Sequence, residues 1–210
     1  MSTEGQSPLL IGLTGSIGAG KSTVADIIRE SHPVLDTDRI ARELMERDEA
    51  VRAALLDRFG GRVYLDDNSL DRVFLATEVF GDERNLTDLN AIVHPPVIAR
   101  VREEADALHA NGNRVVYVES ALIFEAGIEE EFDYTVAVVC NIERAIERVM
   151  HRDAVGREAA ERRLRHQLSP EEKSGLSDFT IRNNGTLEEL RRATSAIVLI
   201  LSRLGKRSAS

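Results

Sequence analysis

The chain has 210 residues, enough for one α/β domain with an insertion and a real core. Its 27 Lys and Arg stand against 36 Asp and Glu, a net charge of −9. That balance argues against nucleic acid or an anionic membrane as the main partner, since both reward positive charge. The single cysteine, Cys140, rules out a disulfide within the chain and a Cys-rich metal site. The polar start from Met1 to Pro8 lacks a basic region, and the apolar stretch behind it is too short for a signal peptide or a membrane span, so a cytoplasmic location is expected.

The first element is an apolar strand, Leu9-Leu10-Ile11-Gly12-Leu13. Directly after it, Gly15-Ser16-Ile17-Gly18-Ala19-Gly20-Lys21-Ser22 satisfies the phosphate-loop pattern G-x-x-x-x-G-K-[ST] at every specified position, and Thr23-Val24-Ala25-Asp26-Ile27-Ile28 reads as the helix that should follow. The chemistry explains the pattern. Glycines let successive backbone N–H groups turn toward phosphate oxygens, and the helix adds its positive end. Lys21 is placed to reach the β- and γ-phosphates and Ser22 to hold Mg²⁺ through its hydroxyl. A nucleotide site made of Gly15, Ser16, Ile17, Gly18, Ala19, Gly20, Lys21, Ser22 and Thr23 is therefore expected, with ATP and Mg²⁺ as its ligands.

Pro33-Val34-Leu35 is the second strand, leading through Asp36-Thr37-Asp38 into a helix from about Arg39 to Arg47. Helical patterning then dominates from about Glu49 to Asn111, with turns at Phe59-Gly60-Gly61 and Leu65-Asp66-Asp67-Asn68 and a break expected at His94-Pro95-Pro96. Arg114 to Glu119 and Tyr134 to Val139 are the third and fourth strands, and Ile142 to about Arg152 is a charged helix. Asp178 to Ile181 is a short fifth strand, Leu187 to Leu204 a closing helix, and Gly205 to Ser210 reads as a disordered tail. β-branched runs without alternation, separated by helices, predict an α/β fold with a parallel five-stranded sheet covered on both faces. The expected organisation is a core of about 8–48, 112–151 and 178–206. A helical acceptor-binding insertion of about 49–111 and a lid of about 152–177 complete it.

Three further constellations carry chemistry. Asp36-Thr37-Asp38 ends the second strand, where ligands collect on open α/β sheets. Of the two carboxylates Asp38 is the better candidate for orienting a substrate hydroxyl and taking its proton. Its other reading is a cap on the next helix, although Ala41 at the N3 position forms no capping box. Arg144, Arg148 and Arg152, four apart, stack on one helix face. No neighbour three or four residues from Arg148 or Arg152 is acidic, which suggests a lid whose cations meet the phosphates. Glu119, at the end of the third strand, is placed to help order Mg²⁺ or to serve as an ordinary strand-end carboxylate. Asn183-Asn184-Gly185 is most simply a turn whose side chains can approach a base or ribose.

These segments, with Ile40-Ala41-Arg42, Leu70-Asp71-Arg72, His94-Pro95, Leu122-Ile123-Phe124-Glu125, Gln167 and Asp178-Phe179, occur in an order that resembles the dephospho-coenzyme A kinase family from about Leu10 to Leu204. The resemblance implies a P-loop fold in three parts and ATP-dependent phosphorylation of the ribose 3′-hydroxyl of dephospho-coenzyme A, the last step of coenzyme A synthesis. It implies that Asp38 acts as base and that Lys21 and Ser22 handle phosphates and metal. Arg72, His94, Leu122, Phe124 and Glu125 would line the acceptor site, Arg148 and Arg152 would act from the lid, and Asn183 would lie near the nucleotide. Two positions depart from the family pattern. Ser16 stands where Gly is usual, at an unconstrained position of the loop, and Ala121 stands where Pro is usual, which relaxes the backbone beside the acceptor wall.

Two other readings remain. One is a different small-molecule or nucleoside monophosphate kinase of the same fold, because fold does not fix the acceptor. The other is a nucleotide-dependent switch without catalysis. A guanine signal Asn-Lys-x-Asp is absent, and the Asp-x-x-Gly matches at Asp57 and Asp153 trail helical runs instead of ending a strand. A monomer or a small homo-oligomer is expected.

Overall fold

The structure, a computed structural model, describes residues 7–165 and 167–207. In chain order the elements are β1 (Leu9–Gly15), α1 (Lys21–Arg29), β2 (Val34–Asp36), α2 (Thr37–Arg47), α3 (Glu49–Phe59), α4 (Arg72–Gly81), α5 (Glu83–Ala110), β3 (Val115–Glu119), β4 (Tyr134–Val139), α6 (Ile142–Asp153), α7 (Arg157–Leu164), α8 (Pro170–Leu176), β5 (Phe179–Arg182) and α9 (Leu187–Arg207). The chain divides into two units, Met1–Leu35 with Glu104–Ser210, and Asp36–Glu103.

In the first unit five strands form one sheet in the order β2-β3-β1-β4-β5. β1 lies between β3 and β4 and is parallel to both, and β5 is parallel to β4. The strands lack alternation because both faces are covered: β3 is buried at all five positions, and β4 at all but its first. Ile11, Leu13, Tyr117, Val136, Val138 and Ile181 from the sheet share one core with Val24 and Ile28 of α1 and Leu190 and Leu201 of α9. Each aliphatic side chain among them stabilises the fold by about 1.5–3 kcal/mol through burial. Chain order reverses around β1, which is where an open sheet of this kind leaves a crevice at its carboxyl edge.

α9 runs further than the sequence suggests. Gly205 to Arg207 are helical instead of disordered, because Gly205 is buried so closely on β3 that a Cβ there would sit 2.9 Å from Val115 Cγ2. Glycine permits this contact. The rest of the expected tail, 208–210, lies outside the described residues.

The second unit is helical. Asp48 caps α3 by accepting the Val51 N–H, and Asp71 caps α4 by accepting the Phe74 N–H. The break expected at His94-Pro95-Pro96 does not occur, and α5 continues through both prolines. Pro95 and Pro96 leave the carbonyls of Ala91 and Ile92 without their helical donors, a cost of about 3 kcal/mol per proline. Against this, Val93, Val97 and Val101, spaced four apart across the prolines, are all buried. Their burial contributes about 1.5–3 kcal/mol each only if the helical spacing persists, an amount of the same order. Among the described residues no helix is long and apolar enough to cross a membrane.

Candidate active site

The loop from Gly15 to Gly20 leaves the central strand and enters α1 directly at Lys21. Gly18 and Gly20 have φ of +79° and +94°, the left-handed region that glycine enters without strain. At Gly20 a side chain would also collide with Asn183 Nδ2, and at Gly18 with the carbonyl of Ala145. The first turn of α1 holds no acidic residue, so its positive end is uncompensated within the helix.

Lys21 Nζ lies 2.7 Å from Glu119 Oε1, with both side chains largely buried. β3 pairs with β1 in the register Leu13↔Glu119, which sets this carboxylate beside the start of the loop. Glu119 is 5% exposed and accepts from Lys21, from Ser22 Oγ at 3.2 Å and from Arg29 Nη2 at 3.1 Å. A buried carboxylate needs such company, because an unpaired charge in the interior is strongly unfavourable.

Arg148 is placed differently from the expectation. The lack of acidic residues three or four positions away on its own helix predicts a cation that meets phosphate. Its guanidinium instead reaches across to the loop, with Nη1 donating to the carbonyls of Gly18 at 3.2 Å and Ala19 at 3.4 Å, and Nη2 to Asn183 O at 3.5 Å. Asn183 is buried and turns its Nδ2 to the carbonyl of Ala19 at 2.8 Å. The Cys140 thiol, buried beneath, points at Gly18 O at 3.8 Å, and burial pushes its pKa up. Donors gathered on the loop's carbonyls occupy its acceptors and so hold the peptide planes in one orientation.

Arg152 has an acidic partner on its own helix. It is bidentate to Asp153, Nε–Oδ1 2.7 Å and Nη2–Oδ2 3.1 Å, and Arg163 of α7 joins the same carboxylate. The hydrogen bond from Arg152 holds the Asp153 carboxyl below its usual range. Spacings of three and four along one helix do not reveal a partner at the next position. With its side chain 64% exposed, Arg152 remains free to exchange this partner for another.

The segment between α7 and α8 touches the loop as well. Gln167 Oε1 accepts the Ile17 N–H at 2.8 Å. Ser16 is buried, with its hydroxyl 3.5 Å from Leu168 O. Across the sheet edge, Leu122 is exposed and Phe124 half-buried on the turn that follows β3. Glu125, on the same turn, binds Lys173 of α8 and the N–H of Leu168. Lys173, buried and charged, was not singled out in the sequence. The capping box Ser169–Glu172 that starts its helix was readable there, but burial was not.

In the second unit, the cap considered for Asp38 belongs to Asp36, whose Oδ1 accepts from the N–H groups of Asp38 at 2.9 Å and Arg39 at 3.2 Å. α2 accordingly starts at Thr37, earlier than expected, and Asp38 is exposed in its first turn. Arg72 opens α4 and pairs with Glu46 at 2.8 Å. His94 lies within α5, and partial burial holds its pKa below the usual value.

A parallel sheet of this order, with a phosphate loop on its middle strand and a buried acid closing the next, defines a kinase of the P-loop class. Shikimate kinase from Bacteroides thetaiotaomicron shares the fold, with a TM-score of 0.52 at 13% identity over 92% of this chain and 98% of that one. Within the class the assignment is sharper. The chain belongs to the dephospho-CoA kinase family, whose model matches residues 9–189. The dephospho-CoA kinase of Corynebacterium glutamicum is 35% identical over 184 residues, 87% of this chain and 94% of that protein. The crystal structure of TT1252 from Thermus thermophilus superposes with a TM-score of 0.78 at 36% identity, over 93% of this chain and 99% of that one.

Proposed function

We propose that this enzyme transfers the γ-phosphoryl group of ATP to the ribose 3′-hydroxyl of dephospho-coenzyme A, giving coenzyme A and ADP. Family membership over almost the whole chain carries the choice of acceptor. The buried Lys21–Ser22–Glu119 cluster beside an intact phosphate loop supports the chemistry.

In this reading the loop from Gly15 to Thr23 receives the triphosphate on its N–H groups, and Lys21 leaves Glu119 to follow the β- and γ-phosphates. The 3′-oxygen attacks the γ-phosphorus, the bond from that phosphorus to the β,γ-bridging oxygen breaks, and the hydroxyl proton passes to the Asp38 carboxylate. Arg152 exchanges Asp153 for phosphate oxygens and stabilises charge in the transition state. Arg148 and Asn183 keep the loop in its binding conformation. Arg72, His94, Leu122 and Phe124 bind the acceptor, and residues 152–177 form the lid.

The donor set fits Mg²⁺. Ser22 Oγ and the Glu119 carboxylate are hard oxygen ligands 3.2 Å apart, and Mg²⁺ ordinarily adds phosphates and waters to one or two such groups. When bound, the ion neutralises charge on the β- and γ-oxygens. The single cysteine, a buried free thiol, suits a reducing, cytoplasmic setting.

The test is incubation of purified protein with ATP and, separately, dephospho-coenzyme A, shikimate, gluconate and nucleoside monophosphates. ADP release with dephospho-coenzyme A alone, and phosphate on the 3′-oxygen by phosphorus NMR, are expected. Faster release with another acceptor would replace this reading.

A further inference from the structure

Lys173 is 0% exposed, a state lysine rarely reaches without a partner. Its ammonium has two partners, the carbonyl of Ala121 at 2.8 Å and the carboxylate of Glu125, at 2.8 Å to Oε1 and 3.1 Å to Oε2. Glu125 Oε1 also accepts the Leu168 N–H at 2.9 Å. The next residue back, Gln167, holds the Ile17 N–H of the phosphate loop. One buried ion pair therefore ties the turn after β3 to residues 167–168, and these to the apex of the loop.

Fold stability does not by itself explain the pair. Two well-packed apolar side chains commonly serve as well as a buried ion pair, or better, whereas removal of one charge leaves the other stranded. What the ion pair does provide is direction. Its hydrogen bonds fix the angle at which Ala121, Glu125 and Leu168 meet, and an apolar contact would leave that angle loose. Ala121, free of the φ constraint of a pyrrolidine ring, has its carbonyl held by Lys173.

We propose that Lys173 and Glu125 are a positioning pair that holds the acceptor-side turn, residues 121–125, in register with the phosphate loop through Leu168 and Gln167. Glu125 thus acts on the substrates through the backbone it holds. The acceptor half of this statement rests on the function proposed above, while the loop half does not.

The experiment compares wild type with Lys173→Met, Glu125→Gln and the double variant Lys173→Met/Glu125→Leu. Thermal unfolding without ligand, ATP affinity by titration, and kcat and KM for ATP and dephospho-coenzyme A are measured for each. Lys173→Met should be destabilised, and the double variant should regain thermal stability because no buried charge is left alone. The double variant should nevertheless bind ATP several-fold more weakly and lose about tenfold to a hundredfold in kcat/KM for dephospho-coenzyme A, the scale expected for a small misplacement of reacting groups. A stable double variant with wild-type ATP affinity and wild-type kcat/KM would overturn the proposal and make the pair purely structural. If the double variant does not fold, Glu125→Gln decides by the same two quantities, since its amide oxygen still accepts from Leu168 but carries no charge for Lys173. Failure of wild type to phosphorylate dephospho-coenzyme A overturns the function reading instead, and ATP affinity still judges the pair.

Discussion

Lys21 Nζ and Glu119 Oε1 are 2.7 Å apart in a pocket where Arg29 and Ser22 share the same carboxylate. The lysine that the loop pattern assigns to phosphate thus pairs with the acid proposed for the metal. If Lys21 follows phosphate as proposed, Glu119 retains Arg29.

Lys21→Ala should therefore have two effects. Turnover should fall at least about a hundredfold, or about 2.7 kcal/mol of transition-state stabilisation. The unliganded protein should also unfold at a lower temperature, by less than the roughly 3–5 kcal/mol of a fully broken buried pair, because Arg29 remains on Glu119. Steady-state kinetics beside thermal denaturation checks both. Near-normal turnover would show that phosphate binds elsewhere.

Asp36 and Asp38, two residues apart, should separate cleanly. Asp36→Ala removes an N-cap and should cost about 1 kcal/mol of stability. Asp38→Asn should leave stability and ATP affinity close to wild type but slow single-turnover transfer strongly, because an amide cannot take the hydroxyl proton. Collapse of ATP binding with an unchanged rate for the bound enzyme would exclude Asp38 as the base.

The two arginines of α6 should also part. Arg152→Ala should change stability by no more than about 1 kcal/mol, since its pair with Asp153 is exposed. Turnover should drop about tenfold to a thousandfold, as for loss of one preorganised donor. Lysine should restore little, lacking the planar fork. Arg148→Met, by contrast, should weaken ATP binding itself, because the carbonyls of Gly18 and Ala19 lose a donor. Equal effects of the two variants on ATP affinity would contradict this division.

Burial lowers the pKa of both His32 and His94 from 6.5. The unfolded chain then binds protons more readily than the folded one as pH falls through 6.5, so stability should decline from there until the lower folded values are passed. Thermal midpoints between pH 8 and 5 should fall less steeply in His94→Gln than in wild type. An identical slope would mean that His94 does not contribute.

The strand, loop and first helix were legible in the sequence because their determinants lie within a few residues: an apolar run, glycines where φ turns positive, and a lysine and serine opening α1. So was the alternation of strands and helices that makes a parallel sheet. The partners of the site were not. Glu119 is 97 and 98 residues from Ser22 and Lys21, Arg148 is 130 from Gly18, and Gln167 is 150 from Ile17. A pattern along one helix predicts that Arg148 and Arg152 await an anion, but a side chain's partner is set by whatever the fold brings within hydrogen-bonding reach. The double proline read as a break for the same reason: local propensity counts the lost hydrogen bonds but not the burial of Val93, Val97 and Val101. Sequence alone determined which groups the protein carries and where the phosphate loop forms. Tertiary structure decided which charges neutralise one another, because desolvation and pairing depend on the whole chain packed around them.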